Sequence, residues 1–208
     1  MNAKRINFSV ADFEKHMNSL PATVNVVGNA KSLLDKKLGS KIDKHYTLRF
    51  NWPRYKNYPD RLGTRCDWLH TNYIERLDRS YIDGSFLLSA NREIVDRIIN
   101  SRISKGVITF LPKEITNHYN NIYPQDQNSP YLKEWPNKRQ RPSLGHFFLS
   151  IFSDYRPDIT LNIYGFDFKQ TPTHYVNYPT EMNNHHNFYF EQESILDFIK
   201  HNNWNYIK

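Results

Sequence analysis

Two short segments near the carboxyl terminus carry side chains that could move a proton. One is Thr173-His174-Tyr175, and the other begins at His186 and reaches Glu191 five residues later. Histidine titrates near neutral pH and is the usual general base of enzymes. His185, His186 and Glu191 are also competent metal ligands, but their spacing does not match His-Glu-x-x-His or another common zinc pattern. The segments favour proton transfer, with an idle surface histidine as the structural alternative at each position.

Polar residues follow predicted strands at the points where the strands end. Gly28 and Asn29 follow the β-rich run 22–27, and Asn51 follows the next strand along the chain. Glycine lets the backbone approach a ligand closely, and an asparagine amide both donates and accepts hydrogen bonds, which suits a nucleotide or a sugar. The alternative is that Asn29 caps the helix predicted over 30–38. Neither Gly-x-Gly-x-x-Gly nor a Walker loop is present, so a dinucleotide fold has no support.

A third segment, Arg141-Pro142-Ser143-Leu144-Gly145, opens a helix predicted over 143–153. Proline and a small hydroxyl residue at a helix start leave backbone N–H groups free to bind an anion. A simple helix cap explains the same residues equally well. The dipeptide Gly165-Phe166 follows the strand predicted over 158–164 and is a further loop at the end of a strand.

The elements that must position these residues alternate between strands and helices. The predicted strands are 22–27, 45–50, 106–111 and 158–164, and the predicted helices are 30–38, 89–102, 143–153 and 190–201. Residues 51–66 and 117–142 have little periodicity and predict loops, the second a long surface excursion. This alternation predicts an α/β fold with a mostly parallel sheet flanked by helices. Ligands of such sheets bind at the carboxyl ends of the strands.

Composition sets the broad class of protein. A chain of 208 residues predicts one domain, 1–208, and its net charge of +7 suits an anionic partner. No apolar run approaches the roughly 20 residues that a membrane span needs, and the amino terminus has no signal-peptide core. Cys66 is the only cysteine, so an internal disulfide is excluded. We therefore expect a cytoplasmic protein.

Taken in order, the segments resemble the four motifs of the eukaryotic-type sialyltransferases, glycosyltransferase family 29. The pieces at 24–29, 42–45, 49–51 and 60–65 resemble the large motif. Residues 142–166 resemble the small motif, His174-Tyr175 the third, and 186–191 the very small motif, His-x-x-x-x-Glu. The resemblance covers roughly residues 22–196. It implies a single-domain, Rossmann-like glycosyltransferase fold, the sialyltransferase variant of GT-A.

The same resemblance implies a role for each matched residue. His186 is the general base, and His174 faces the phosphate of a CMP-activated acidic sugar. Arg49 and Glu191 support the site. The donor-contacting positions are Gly28, Asn29, Asn51, Ser143, Leu144, Gly145, Tyr164, Gly165 and Phe166. The acceptor is a glycan or a lipid-linked oligosaccharide. No cofactor and no metal are implied, and the chain has no Asp-x-Asp, the usual metal–diphosphate anchor of glycosyltransferases.

Departures from the family pattern leave alternatives open. Ala30 stands where the family has serine, which removes one polar contact to the donor. An inactive relative of the family is therefore one alternative. A membrane stem and a disulfide are lacking, and a smaller bacterial sialyltransferase family shares the Arg-Pro-[Ser/Thr]-x-Gly segment, so we expect a bacterial type. The preferred donor is CMP-sialic acid, and the runner-up is CMP-Kdo, used in lipopolysaccharide or capsule synthesis.

Aromatic and basic residues are interleaved in two segments, 135–141 and the tail from Trp204 to Lys208. Such segments favour peripheral contact with an anionic membrane at its inner face, or else pack on the core. The rival from another class is a protein that binds single-stranded nucleic acid by stacking. The preferred hypothesis is an enzyme with no nucleic-acid partner.

Overall fold

The computed structural model describes residues 4–51, 54–71, 87–90, 107–168 and 186–207. Its centre is an eight-stranded sheet in the order β1-β6-β5-β4-β3-β2-β7-β8, in which every described pair of neighbours is parallel. The strands are β1 Lys4–Asn7, β2 Thr23–Val27, β3 Tyr46–Phe50, β4 Trp68–Thr71, β5 Leu87–Ala90, β6 Val107–Phe110, β7 Thr160–Tyr164 and β8 Asn205–Ile207. The predicted α/β class with a parallel sheet is confirmed.

Helices cover both faces of this sheet. The α-helices are α1 Val10–Asn18, α2 Gly39–Ile42, α3 Pro59–Leu62, α4 Lys113–Ile122, α5 Pro130–Glu134, α6 Leu144–Tyr155 and α7 Phe188–His201, with 3-10 helices at Lys31–Asp35 and Arg54–Asn57. Capping residues in the local sequence explain where the longer helices α1 and α6 begin. Ser9 and Asp12 form a reciprocal capping box at α1, and the Ser143 side chain caps α6 by accepting the His146 N–H.

The two faces of the sheet have separate apolar layers. Alternate residues of β2 point to opposite sides, so Val24 and Val26 belong to one layer and Val27 to the other. Helices α1, α4, α6 and α7 cover the first layer, and the short helices between β2 and β4 cover the second. All three valines are fully buried. The larger layer is rich in aromatic rings, among them Phe148, which makes an edge contact with Trp68.

The chain changes direction between β2 and β7. From β2 it adds β3, β4, β5 and β6 on one side, and it then returns to place β7 and β8 on the other. Ligands of open parallel sheets bind where the strand order reverses in this way, outside the carboxyl ends of the strands. In this chain those ends carry Gly28-Asn29 after β2 and Gly165-Phe166 after β7.

A row of side-chain amides crosses the sheet at this reversal. Asn162 donates to Asn25 Oδ1 at 2.9 Å, and Asn205 donates to Asn162 Oδ1 at 2.9 Å. Asn25 in turn donates to the Ile42 carbonyl at 2.7 Å. The three asparagines lie in register on β2, β7 and β8. The row satisfies buried polar groups and fixes the register of the three strands, because a slip by one residue would leave the amides unpaired.

Most predicted elements are found, and four predictions need correction. The strands at 22–27, 45–50, 106–111 and 158–164 and the helices at 143–153 and 190–201 are confirmed, with ends shifted by up to two residues. The helix predicted over 30–38 is a shorter 3-10 turn, and 51–66 contains α3 and a 3-10 helix besides loop. The helix predicted over 89–102 is wrong at its start, which is strand β5, and 91–102 lie outside the described residues.

The fourth correction is the long surface loop predicted over 117–142. Helix α4 continues to Ile122, and α5 occupies Pro130–Glu134. Ile115, Tyr119 and Tyr123 recur every fourth residue and are buried. That spacing places one apolar face of α4 on the core, and the many asparagines around it obscure the pattern in the sequence.

The carboxyl-terminal tail packs on the protein. Trp204 is 4% exposed, and its indole N–H donates to the Ile159 carbonyl at 3.2 Å. Tyr206 follows in β8, and its hydroxyl donates to the Phe166 carbonyl. Both rings therefore pack on the protein. Of the two alternatives given for the tail, membrane contact or packing on the core, the structure shows packing on the core. Within the described part of the chain, no helix is long and apolar enough to cross a bilayer.

We expect Trp204→Ala to lower the free energy of unfolding by about 3–5 kcal/mol, because it empties a core site and leaves the Ile159 carbonyl without its donor. Trp135→Ala is the control, since Trp135 is 51% exposed and should change stability by less than about 1 kcal/mol. Urea unfolding of both variants measures the difference. Equal losses in the two variants would contradict a buried tail.

Candidate active site

The loops after β2 and β7 leave the sheet in direct contact. Gly28 donates its N–H to the Tyr164 carbonyl at 2.8 Å, and a Cβ added at Gly28 would lie 2.4 Å from the Gly165 carbonyl oxygen. Gly165 itself has a φ of +68°, which glycine adopts without strain. Gly28 is therefore required by the close approach of the two backbones and Gly165 by its positive φ, and together they form the floor of the crevice expected at the strand-order reversal.

The Phe166 ring joins this floor to helix α6. A Cβ added at Gly145 would lie 2.4 Å from Phe166 Cε1, and one added at Gly28 would lie 3.2 Å from its Cδ2. On another side the ring makes an edge contact with Phe50 at the end of β3, with centroids 6.3 Å apart. Phe166 thus brings the ends of β2, β3 and β7 against the start of α6.

The two predicted asparagines lie on this edge. Asn29 donates its amide N–H to the Phe50 carbonyl at 2.9 Å, so it joins the loops after β2 and β3. It is not the predicted helix cap, because Ala30 precedes the 3-10 helix without a capping side chain. Asn51 has a φ of 55° and donates its backbone N–H to the His70 carbonyl at 2.7 Å. Both side chains are half-buried at the rim of the crevice.

The amino terminus of α6 is the part of the site best suited to an anion. Four N–H groups begin any helix without intrahelical partners. Here the Ser143 N–H donates to Glu191 Oε1 at 2.7 Å, and the His146 N–H donates to Ser143 Oγ at 3.2 Å. The N–H groups of Leu144 and Gly145 have no acceptor among the described residues. They lie at the positive end of a 12-residue helix, where phosphate and carboxylate bind.

A buried carboxylate fastens this helix end to its neighbours. Glu191 is 3% exposed, and its Oε1 accepts both the Ser143 N–H and the Tyr123 hydroxyl, the latter at 2.9 Å. The Tyr123 oxygen accepts the Asn187 N–H at 2.7 Å. Burial and the nearby Glu191 charge raise the pKa of Tyr123, so its hydroxyl remains a donor.

His186 has one ring nitrogen fixed. Its Nδ1 lies 2.6 Å from the Arg141 carbonyl oxygen. A carbonyl oxygen can only accept, so Nδ1 carries the proton and Nε2 holds the lone pair in the neutral ring. The bond lies two residues before the Ser143 cap, and the ring also packs on Phe188. The ring is half-buried. A neutral histidine held in this tautomer can accept a proton at Nε2.

Two predicted site residues point away from the crevice. Arg49 is 2% exposed and donates to the Leu62 and Arg65 carbonyls at 2.6 and 2.8 Å. Its guanidinium stacks on Tyr55, which belongs to the layer on the opposite face. The Tyr164 side chain packs in that same layer. Both side chains therefore pack on the face of the sheet that the short helices between β2 and β4 cover. His174 lies outside the described residues, so its role stays a prediction.

Sequence reasoning missed Tyr123, because the surrounding segment was predicted to be a loop. The signal available in the sequence was its position at the end of the Ile115, Tyr119, Tyr123 repeat. That repeat indicates a buried face but does not identify the hydroxyl's partners. Asn187 and Glu191 are 64 and 68 residues away along the chain.

A second histidine near the start of α6 is buried and uncharged near pH 7. His146 is 6% exposed, and its Nε2 lies 2.7 Å from Ser194 Oγ. Burial lowers the pKa of His146 from 6.5 to about 4. It is therefore neutral near pH 7 and supplies no positive charge to an anion at α6. The helix-terminal N–H groups are left to supply the positive potential.

Comparisons with known proteins agree with this architecture. No protein-family model matches the chain, and no curated protein matches it in sequence. Two solved structures of a mammalian sialyltransferase do match in shape. The first has a TM-score of 0.62 at 17% identity and covers 90% of this chain and 69% of its own. The chain has a sialyltransferase fold.

The second structure is the mammalian sialyltransferase in complex with Gal-beta-1-3GalNAc-ortho-nitrophenol. Its TM-score is 0.60 at 14% identity, over 95% of this chain and 79% of its own. At such identities the likeness establishes the fold alone. The predicted fold class, a sialyltransferase-type Rossmann-like domain with a parallel sheet, is confirmed.

The buried His146 predicts how stability depends on pH. Its pKa is about 4 in the folded state and 6.5 when exposed, so between these values the unfolded chain binds more protons. Stability therefore falls as pH falls from about 6.5 to 4. His70, whose pKa burial lowers to about 3, acts in the same direction. In His146→Gln the pH slope at about pH 5 should shrink by roughly one proton, or about 1.4 kcal/mol per pH unit.

Urea unfolding between pH 4.5 and 7.5 measures this slope. The wild type, unfolded under the same conditions, is the reference for the slope. An unchanged slope in His146→Gln would mean that His146 titrates in the folded protein much as it does in the unfolded chain.

Proposed function

We propose that this protein is an inverting glycosyltransferase that moves a sialic acid from CMP-sialic acid to a glycan acceptor. The observation that carries the proposal is the bond from His186 Nδ1 to the Arg141 carbonyl at 2.6 Å. It presents an unprotonated Nε2 beside the anion-binding start of α6. A base next to an anion site, at the strand-order reversal of a sialyltransferase fold, supports this activity above others.

The proposed donor site combines the crevice and the helix end. The Leu144 and Gly145 N–H groups would hold the donor carboxylate or phosphate, because both are anions and the helix dipole favours them. Asn29 and Asn51 would contact the CMP part from the opposite rim. Within the described part of the chain, the Asn29 side chain bonds only through its N–H, to the Phe50 carbonyl, so its amide oxygen would serve this contact.

The proposed transfer is a single displacement. The acceptor hydroxyl oxygen attacks the anomeric carbon of the sugar and forms the new glycosidic bond. The bond from that carbon to the phosphate oxygen breaks, and its electron pair leaves with CMP. The acceptor proton passes to His186 Nε2, and the resulting imidazolium later releases it to water. The Arg141 carbonyl holds the Nδ1–H of that imidazolium in place.

The proposal requires no metal. CMP leaves as a phosphate monoester, whose charge helix-terminal N–H groups and a histidine can stabilise without a cation. We assign the histidine part to His174, on the strength of the His174-Tyr175 resemblance. Either sialic acid or Kdo fits, since both donors present CMP and a carboxylate to the same groups. The acceptor is proposed to be a glycan, free or lipid-linked, and activity assays with both CMP-sugars distinguish the donors.

Nucleotide binding gives the first test. At a hundredfold excess over its Kd, CMP should stabilise the protein by about 2.7 kcal/mol and raise the melting temperature by several degrees. UDP and GDP should raise it less, and EDTA should have no effect. Differential scanning fluorimetry measures the shift. A melting temperature that is indifferent to CMP, or a strict requirement for Mg²⁺, would overturn the proposal.

The base gives the second test. His186→Ala should lower transfer by about 10²–10⁴-fold while the melting shift with CMP stays near that of the wild type. Transfer in the wild type should also fall as the pH drops and the base becomes protonated, and the variant should lose this acidic limb. His201→Ala, at an exposed histidine of α7, is the control and should keep full activity. If His186→Ala transfers normally, the base lies elsewhere.

A further inference from the structure

Helix α4 and the residue that caps its carboxyl end carry two buried tyrosines four residues apart, each hydrogen-bonded to a carboxylate. Tyr119 is 4% exposed and donates to Asp154 Oδ2 at 2.6 Å, and Tyr123 is 3% exposed and donates to Glu191 Oε1 at 2.9 Å. Burial raises the pKa of both hydroxyls, and so does the adjacent carboxylate. The two tyrosines are therefore matched in burial and in hydrogen-bonding chemistry, and they lie on the same side of α4 and its cap.

They differ in what they connect. Asp154 lies in the last turn of α6, at the end opposite the anion-binding terminus. Tyr123 instead accepts the Asn187 N–H at 2.7 Å, next to His186, and its partner Glu191 accepts the Ser143 N–H at 2.7 Å. One continuous path of hydrogen bonds therefore runs from the backbone beside the base to the start of α6.

The ring of Tyr123 is itself held. It makes edge contacts with His146 and with Phe190, with centroids 5.7 Å away in both cases. These contacts come from α6 and α7, while the hydroxyl itself bonds to Asn187 and Glu191 at the start of α7. A ring packed from both sides leaves its oxygen little freedom, so the oxygen can serve as a fixed point for the Asn187 backbone.

We propose that the Tyr123 hydroxyl is a positioning residue that fixes His186 relative to the donor-binding end of α6. This rests on the proposed function, in which His186 is the base. His186 is then held at two points, its ring by the Arg141 carbonyl and its following peptide N–H by Tyr123. Glu191 transmits the same constraint to Ser143. A base held at two points stays aimed at the acceptor hydroxyl, and small misplacements of such groups cost large factors in rate.

The test compares Tyr123→Phe with Tyr119→Phe. Each variant keeps the ring and deletes one hydroxyl bonded to a carboxylate, so both should lose similar stability. Only Tyr123→Phe should lower kcat, by about 10- to 100-fold, with the KM for the CMP-sugar changed by less than about threefold. A purely structural role would move both variants alike.

A second measurement does not depend on turnover. Proton–nitrogen NMR of the histidine rings should show His186 protonated at Nδ1 in the wild type, assigned by the signals lost in His186→Ala. In Tyr123→Phe the two tautomers should become mixed, because the Asn187 N–H loses its anchor and the backbone no longer aims the His186 ring at the Arg141 carbonyl. Tyr119→Phe should retain the wild-type signals. If Tyr123→Phe does not fold, Glu191→Gln weakens the same link and should lower kcat in the same direction.

The outcomes separate the two proposals. Equal kcat in the two tyrosine variants, with His186 signals unchanged, overturns the positioning role and leaves His186 as base. Full transfer in His186→Ala overturns the proposed mechanism. The NMR comparison then still decides whether Tyr123 fixes the His186 ring.

Discussion

The backbone of Gly28 packs against the backbone of Gly165, and the rest of the site is built on that contact. No side chain fits between them, so the loops after β2 and β7 must leave the sheet side by side. The Phe166 ring then fills the space above Gly28 and reaches Gly145 on helix α6. Three loops and a helix start therefore meet at one point because three positions lack a Cβ and a fourth presents a flat ring.

Burying Glu191 is the second constraint, and it acts through hydrogen bonds. A carboxylate removed from water is costly unless its oxygens are satisfied. Here the Ser143 N–H and the Tyr123 hydroxyl both donate to Oε1, one from α6 and one from the end of α4. Satisfying the charge in this way requires three helices to meet in one arrangement. The same bonds hold the helix end where an anion would bind, so stability and site geometry share their interactions.

Most of the motif residues stabilise the fold around the site. The two loop glycines and Gly145 allow close packing, Arg49 ties β3 to the loop around Leu62 and Arg65, and Tyr164 packs behind the sheet. The proposed mechanism uses side-chain amides at the rim, two helix N–H groups and one histidine nitrogen. A short list of this kind suits a reaction in which the enzyme binds an anion and removes one proton, because both tasks need few groups in fixed places.

The sequence by itself determined the α/β class, the main strands of the parallel sheet, the start of α6 at Ser143 and the segments that meet at the sheet edge. These follow from local signals, namely β-branched runs, a helix cap and glycines at strand ends, which depend on neighbouring residues. Only the tertiary structure decided the tautomer of His186, the hydrogen bonds of Arg49 to the Leu62 and Arg65 carbonyls and the burial of Trp204. It also decided that the Tyr123 hydroxyl bonds to Glu191 and to the Asn187 N–H. Each of these depends on a partner far along the chain, and local periodicity carries no information about such partners.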